Sequence, residues 1–140
     1  MSRTPAELAT QLVNTYGRPD DVIELLADDI VWWVTPSVPT EVMQSVTTGR
    51  DAMYATLKRV FGSIYEPESI EVTVHSAISE RPLGAVRLTM AGEFVGGGAF
   101  SNEYCVCVET RDDKIAKVWE YMDVAHTEAQ LSAARQAAGS

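Results

Sequence analysis

Two histidines, two cysteines and eleven basic residues in 140 leave little material for several kinds of chemistry. Cys105 and Cys107 stand two apart in a strand-like run, so they share a face and are poorly placed to pair with each other. With so few thiols and imidazoles no zinc cluster can be assembled, and no metal is expected. The cysteines read as small buried thiols kept reduced, which suits a cytoplasmic location. The basic residues are scattered and outnumbered by twenty acidic ones, giving a net charge of -9. Phosphate binding needs basic clusters, so nucleic acid is excluded as a partner. No apolar run nears the ~18 residues of a membrane span, and neither a signal-peptide pattern nor a repeat is seen. The chain is expected to stay off membranes.

What is present is ordinary for one globular domain over residues 1–140, with 125–140 a helical tail. Thr4-Pro5-Ala6-Glu7 is a helix start: Thr4 caps, Pro5 presets φ, and Glu7 completes a capping box. Leu8, Leu12, Val13 and Tyr16 then make one stripe, ended at Gly17. A short helix from Pro19 closes at Ala27-Asp28-Asp29, and Ile30–Thr35 reads as a strand. Pro36–Thr48, with two prolines, reads as a loop. A third helix opens at Gly49-Arg50-Asp51 and buries Met53, Leu57, Val60, Phe61 and Ile64. Four strands follow, over 69–79, 84–95, 101–110 and 115–124. Gly96-Gly97-Gly98 is a flexible loop and no phosphate cradle, because no helix start or lysine follows it.

Helices gathered on one side of an antiparallel sheet make an α+β fold. A strongly curved antiparallel sheet around three N-terminal helices leaves a cone-shaped pocket open at one end, where small ligands bind. The last strand holds the most informative residue. Alternation puts Ala116, Val118, Glu120 and Met122 on one face and Ile115, Lys117, Trp119 and Tyr121 on the other. A carboxylate in an apolar row lies at a rim, meets a partner, or does chemistry.

The chain resembles the SnoaL-like and limonene-epoxide-hydrolase-like branches of the NTF2-like superfamily, relatives of ketosteroid isomerase. The resemblance rests on Ala27-Asp28-Asp29, Gly49-Arg50-Asp51-Ala52, and Lys114-Ile115 with Glu120-Tyr121-Met122-Asp123. It implies the NTF2-like cone. It also matches Arg87 to the arginine and Glu120 to the second acid of the epoxide-hydrolase trio, while Thr89 replaces the first acid. Asn102 falls where an acid of the isomerases donates a hydrogen bond. SnoaL-like cyclases close rings with an acid/base pair, and His75 with Glu120 would fill those roles.

The expected catalytic set is therefore Glu120, Arg87 and His75, with Arg87 and Thr89 turned inward and Arg87 touching Glu120. A structural salt bridge is the plainer role for that pair, and hydrogen-bonded packing the plainer one for His75. His126, in the last connection, reads as solvated. Asn102 shares a face with Tyr104 and either donates into the pocket or caps the glycine loop. Trp32 and Trp33 point to opposite sides, one to the core, the other to the pocket or an interface. The expected ligand-binding set is Thr89, Asn102, Trp33, Tyr104, Met53, Leu57, Phe61 and Met122. Trp119 and Tyr121 would leave two aromatics on an open face, and the relatives pair subunits there, so a homodimer is expected. No cofactor is expected. The function implied is acid/base catalysis on a small, largely apolar molecule, of cyclase or isomerase type. Epoxide hydration with an altered acid set, or a non-catalytic binding or dimerisation module, is the alternative.

Overall fold

The computed structural model describes residues 2–139. Helix α1, Pro5–Asn14, begins with the capping box read from the sequence, Thr4 and Glu7 exchanging bonds of 3.1 Å in each direction. Its stripe of Leu8, Ala9, Leu12 and Val13 is fully buried. Each leucine or valine among them contributes on the order of 1.5–3 kcal/mol when removed from water. Helix α2 spans Pro19–Glu24, and α3 spans Arg50–Ser63 with Met53, Leu57 and Phe61 buried. Strand β1 is Leu26–Val34, β2 Val46–Thr48, β3 Glu71–Glu80, β4 Leu83–Glu93, β5 Ala99–Arg111 and β6 Lys114–Met122. Helix α4, Val124–Ala138, closes the chain.

The six strands form one unclosed sheet in the order β2-β1-β6-β5-β4-β3. From β3 to β6 every pairing is antiparallel, as the alternating runs imply. The sheet as a whole is mixed, because β1 lies parallel to β6. That pairing joins Trp32 to Val118 and Val34 to Glu120, residues far apart in sequence. Parallel neighbours need a long crossover, here everything from β2 through β5. Two boundaries also differ from the sequence reading. Ala27-Asp28-Asp29 belongs to β1 and does not end α2, and the supposed loop 36–48 contains the short edge strand β2.

The residues behind the family resemblance tie the ends of these elements together. Arg50 pairs with Asp28 at 2.8 Å, and Arg111 pairs with Asp29, holding its carboxyl below the usual range. At the β5–β6 turn Asp112 and Asp113 both take positive φ, as a two-residue hairpin loop requires. Arg3 clamps Asp113 through its backbone N–H and guanidinium. These pairs are largely exposed, so they fix geometry more than they add stability. Among the described residues no helix is long and apolar enough to cross a membrane.

Candidate active site

The concave face of the sheet carries Trp32 and Val34 from β1, Val86, Leu88 and Met90 from β4, Asn102, Tyr104, Val106 and Val108 from β5, and Val118, Glu120 and Met122 from β6. Against it α1 and α3 enclose a small cavity. Its lining includes Tyr16, Trp32, Met53, Leu57, Phe61, Tyr65, Met90, Tyr104, Glu120 and Met122. Five of the residues expected to bind ligand (Met53, Leu57, Phe61, Tyr104 and Met122) are in that lining. The free space is about 60 Å³.

Glu120 is the one carboxyl in this apolar wall. Trp32 Nε1 donates to its Oε1 at 2.9 Å. The residue is half-buried and lines the cavity. Burial pushes the carboxyl up to about 7, against the lowering effect of the Trp32 bond. A carboxyl poised there exchanges a proton at neutral pH, where an ordinary glutamate is ionised throughout.

Three tyrosines surround it. Tyr16 and Tyr104 are almost wholly buried, and burial raises both hydroxyls well above their ordinary value. Tyr65 is pushed to about 12, again by burial first. Tyr65 and Tyr104 interact with each other, whereas the Tyr16 hydroxyl has no hydrogen-bond partner. Leaving a buried hydroxyl unpaired costs about 1–3 kcal/mol. The Tyr16 ring lies 6.1 Å from Trp32 and 6.4 Å from Phe61, so one wall of the cavity is aromatic. Helix α3 leaves helical geometry at Phe61, next to Gly62, and Phe61 also meets Tyr65.

A second space of about 530 Å³ lies outside, between α4 and residues 38–42. It shares Val38, Val42, Tyr65 and Met122 with the inner cavity. These four residues form the partition between them. Asn102 holds α4 over this entrance. Its amide donates to the Asp123 carbonyl at 3.1 Å and to the Thr127 hydroxyl, and its oxygen accepts from Glu103 N–H. Gln130 adds bonds to both backbone groups of Ser101, and Gly98 leaves room for Ala134. Asn102 is thus buried on the concave face with its amide spent on α4, and it has no donor left for a ligand.

Four expected site residues lie on the convex face. Arg87 is exposed and pairs in register with Cys105, while Val86 and Leu88 on either side of it are buried. The strand takes its phase from Val86, Leu88 and Met90, and the guanidinium goes to solvent. Arg87 and Glu120 therefore do not touch. Thr89 follows the same phase. Its hydroxyl donates to Glu103 and lies 2.6 Å from His75 Nε2, so His75 joins a polar chain outside the cavity. His75 is the extra residue of a bulge between Val74, opposite Leu88, and Ser76, opposite Arg87. Trp33 also faces out, with its ring 5.0 Å from Tyr121; Trp32 is the tryptophan of the cavity. The cysteines too are convex and free, Cys105 exposed and Cys107 half-buried, and are not core thiols.

A curved, unclosed mixed sheet with helices across its hollow is the ketosteroid-isomerase-like α+β fold. The model of the SnoaL-like domain matches residues 10–118, and the chain belongs to that family. No curated protein sequence matches it. Solved structures with the same fold include a protein of Catenulispora acidiphila with a ketosteroid isomerase-like fold, in complex with trimethylamine. It is 19% identical, with 93% of this chain and 95% of that one covered and a TM-score of 0.74. IdmH of Streptomyces antibioticus, provisionally described as a polyketide cyclase, is 20% identical over 93% and 99% of the two chains, with a TM-score of 0.73. A Bacillus subtilis protein provisionally described as an isomerase is 17% identical over 93% and 96%, also at 0.73. At such identities the likeness shows the fold.

Proposed function

We propose that the protein is a general acid/base catalyst of the cyclase or isomerase type, acting through Glu120 on a small, largely apolar molecule. The observation that carries this reading is the half-buried Glu120 carboxyl, raised to about 7 and lining an apolar cavity. Family membership and the cyclase-like and isomerase-like neighbours support it. The proposed proton transfer uses the protein's own carboxyl and requires no cofactor. Ligand enters through the outer space beneath α4 and displaces the partition, where Met122 is the most adaptable member. Arg87 and Thr89 lie outside, so the arginine of the epoxide-hydrolase trio gives no support to hydration.

The test is proton exchange. The protein is incubated in D₂O with small aromatic ketones and 1,3-dicarbonyl compounds, and deuterium wash-in is followed by mass spectrometry. Glu120→Gln is expected to lower catalysed exchange by about 10²–10⁴. Equal exchange rates in the variant and the wild type would contradict the proposal. That two of the three expected catalytic residues lie outside the cavity favours a second reading, a binding module. It predicts no catalysed exchange from either protein and unchanged ligand affinity in Glu120→Gln.

The convex face is proposed to pair two copies of the chain. Tyr121 and Trp119 line a shallow groove there with Ile78 and Leu83, and Ile78 is 72% exposed. Large apolar side chains grouped in the open mark an interaction surface. Sedimentation at micromolar concentration should give twice the 15.3 kDa chain mass, and Ile78→Glu with Tyr121→Glu should shift it to monomer. A 15 kDa species alone in the wild type would contradict pairing.

A further inference from the structure

We infer that α4 is a hinged lid over the way into the cavity, and that Asn102 is the latch that holds it shut. The inference deepens the proposed function, since it rests on ligand entering beneath α4, and its test needs no ligand.

Little apolar surface attaches α4 to the rest of the molecule. None of its residues is fully buried. Val124, Leu131 and Ala134 pack half-buried against the core, and β5 is the element that α4 chiefly meets. A segment with few buried apolar contacts belongs to the least stable part of a fold and opens first. Its sequence is rich in alanine, the best helix former, which favours lifting as a helix over unravelling.

What holds α4 down is polar. Gln130 bonds to the backbone of Ser101 in an exposed position, where water replaces the lost bonds at little cost. Asn102 is different. It is 2% exposed, and its amide donates to the Asp123 carbonyl and the Thr127 hydroxyl, both at the start of α4. Lifting the helix leaves a buried amide unpaired until water reaches it, and this is the costly step of opening.

The hinge lies at Asp123. Met122 ends β6, paired with Tyr104, and α4 begins at Val124. Asp123 between them is the residue whose carbonyl Asn102 holds. Met122 is also part of the partition between the two spaces. A swing at Asp123 therefore draws Met122 away from Val38, Val42 and Tyr65, and the inner cavity opens into the outer space. Asn102 interacts with the Tyr104 hydroxyl as well, so the latch touches the cavity lining on one side and the lid on the other.

Hydrogen exchange on the unbound protein reads both parts of the claim. Backbone amides of α4 report the lid, and Trp32 Nε1–H, bonded to Glu120 inside the cavity, reports the entry of water. Its signal in ¹H–¹⁵N spectra is the one lost in Trp32→Phe. Asn102→Ala is expected to raise both rates by a common factor of about ten. The core amides of Val106, Val108 and Val118 should keep their wild-type rates, as should the indoles of Trp33 and Trp119 on the convex face. Thr127→Val keeps the shape of α4 and removes one partner of the amide. It should raise both rates by a smaller common factor, and it carries the same comparison if Asn102→Ala does not fold. Faster exchange in α4 with Trp32 unchanged overturns the lid. Unchanged exchange in α4 overturns the latch. A rise shared by the core amides makes Asn102 a support of the whole fold and overturns both. None of these results touches Glu120, whose role fails or stands on deuterium wash-in alone.

Discussion

At pH 8 the Glu120→Gln variant should be more stable than the wild type by about 3 kcal/mol, relative to their difference at pH 4. The folded carboxyl titrates at about 7 and its ordinary value is 4.5. Each unit of separation is worth about 1.4 kcal/mol. Because the folded pKa is the higher, the folded state keeps a proton between pH 4.5 and 7 that the unfolded chain has released. Stability from this group is complete below 4.5 and is lost as pH rises to about 7, opposite to the behaviour of a salt-bridged carboxylate. Glutamine preserves the shape and an oxygen for Trp32 N–H, and it has nothing to titrate. Other carboxylates cancel when the two proteins are compared at each pH by urea unfolding. A difference that stays flat from pH 4 to 8 would mean that Glu120 is not held in a desolvated site. If Glu120 is catalytic, the same substitution removes turnover, so the wild type bears a stability penalty for a working group.

Gly84→Val should cost about 3 kcal/mol, the upper part of the range for overfilling a packed site. A Cβ at Gly84 would stand 2.7 Å from the Pro5 carbonyl carbon and 2.9 Å from its oxygen. Neither atom can swing aside, because Pro5 opens α1 next to the Thr4–Glu7 capping box. The helix itself must lift from β4. Denaturant unfolding measures the effect. An unchanged midpoint would mean that α1 does not sit on β4 as described.

The parts of this structure that were legible in the sequence are those with a strong local period. Strands β3 to β6 alternate over nine residues or more, and the phase of β6 placed Glu120 and Met122 inside. The stripe of α3 likewise brought Met53, Leu57 and Phe61 to the cavity. Where the reading failed, the deciding force was non-local or too small to see. Strand β2 has three residues and gains its identity only from pairing with β1. The parallel pairing of β1 with β6 has no local signature. On β4 the apolar trio Val86, Leu88 and Met90 carried the true phase; giving the arginine an inward role reversed it. A bulge at His75 shifts the register of β3 beyond it, and no motif marks the spot. Alternation separated Trp32 from Trp33 but could not say which faced the hollow. Tyr16 was visible as a helix-stripe residue, but an unpaired hydroxyl exists only once the cavity is assembled.

The central claim is that Glu120 is a desolvated carboxyl able to take and release a proton at neutral pH. Its most direct test is a ¹³C NMR titration of protein labelled at the glutamate side-chain carboxyls, with Glu120→Gln used to assign the signal. The Glu120 resonance should titrate with a midpoint near 7. A midpoint near 4.5, the ordinary value, would contradict it and remove the basis for acid/base catalysis in this cavity.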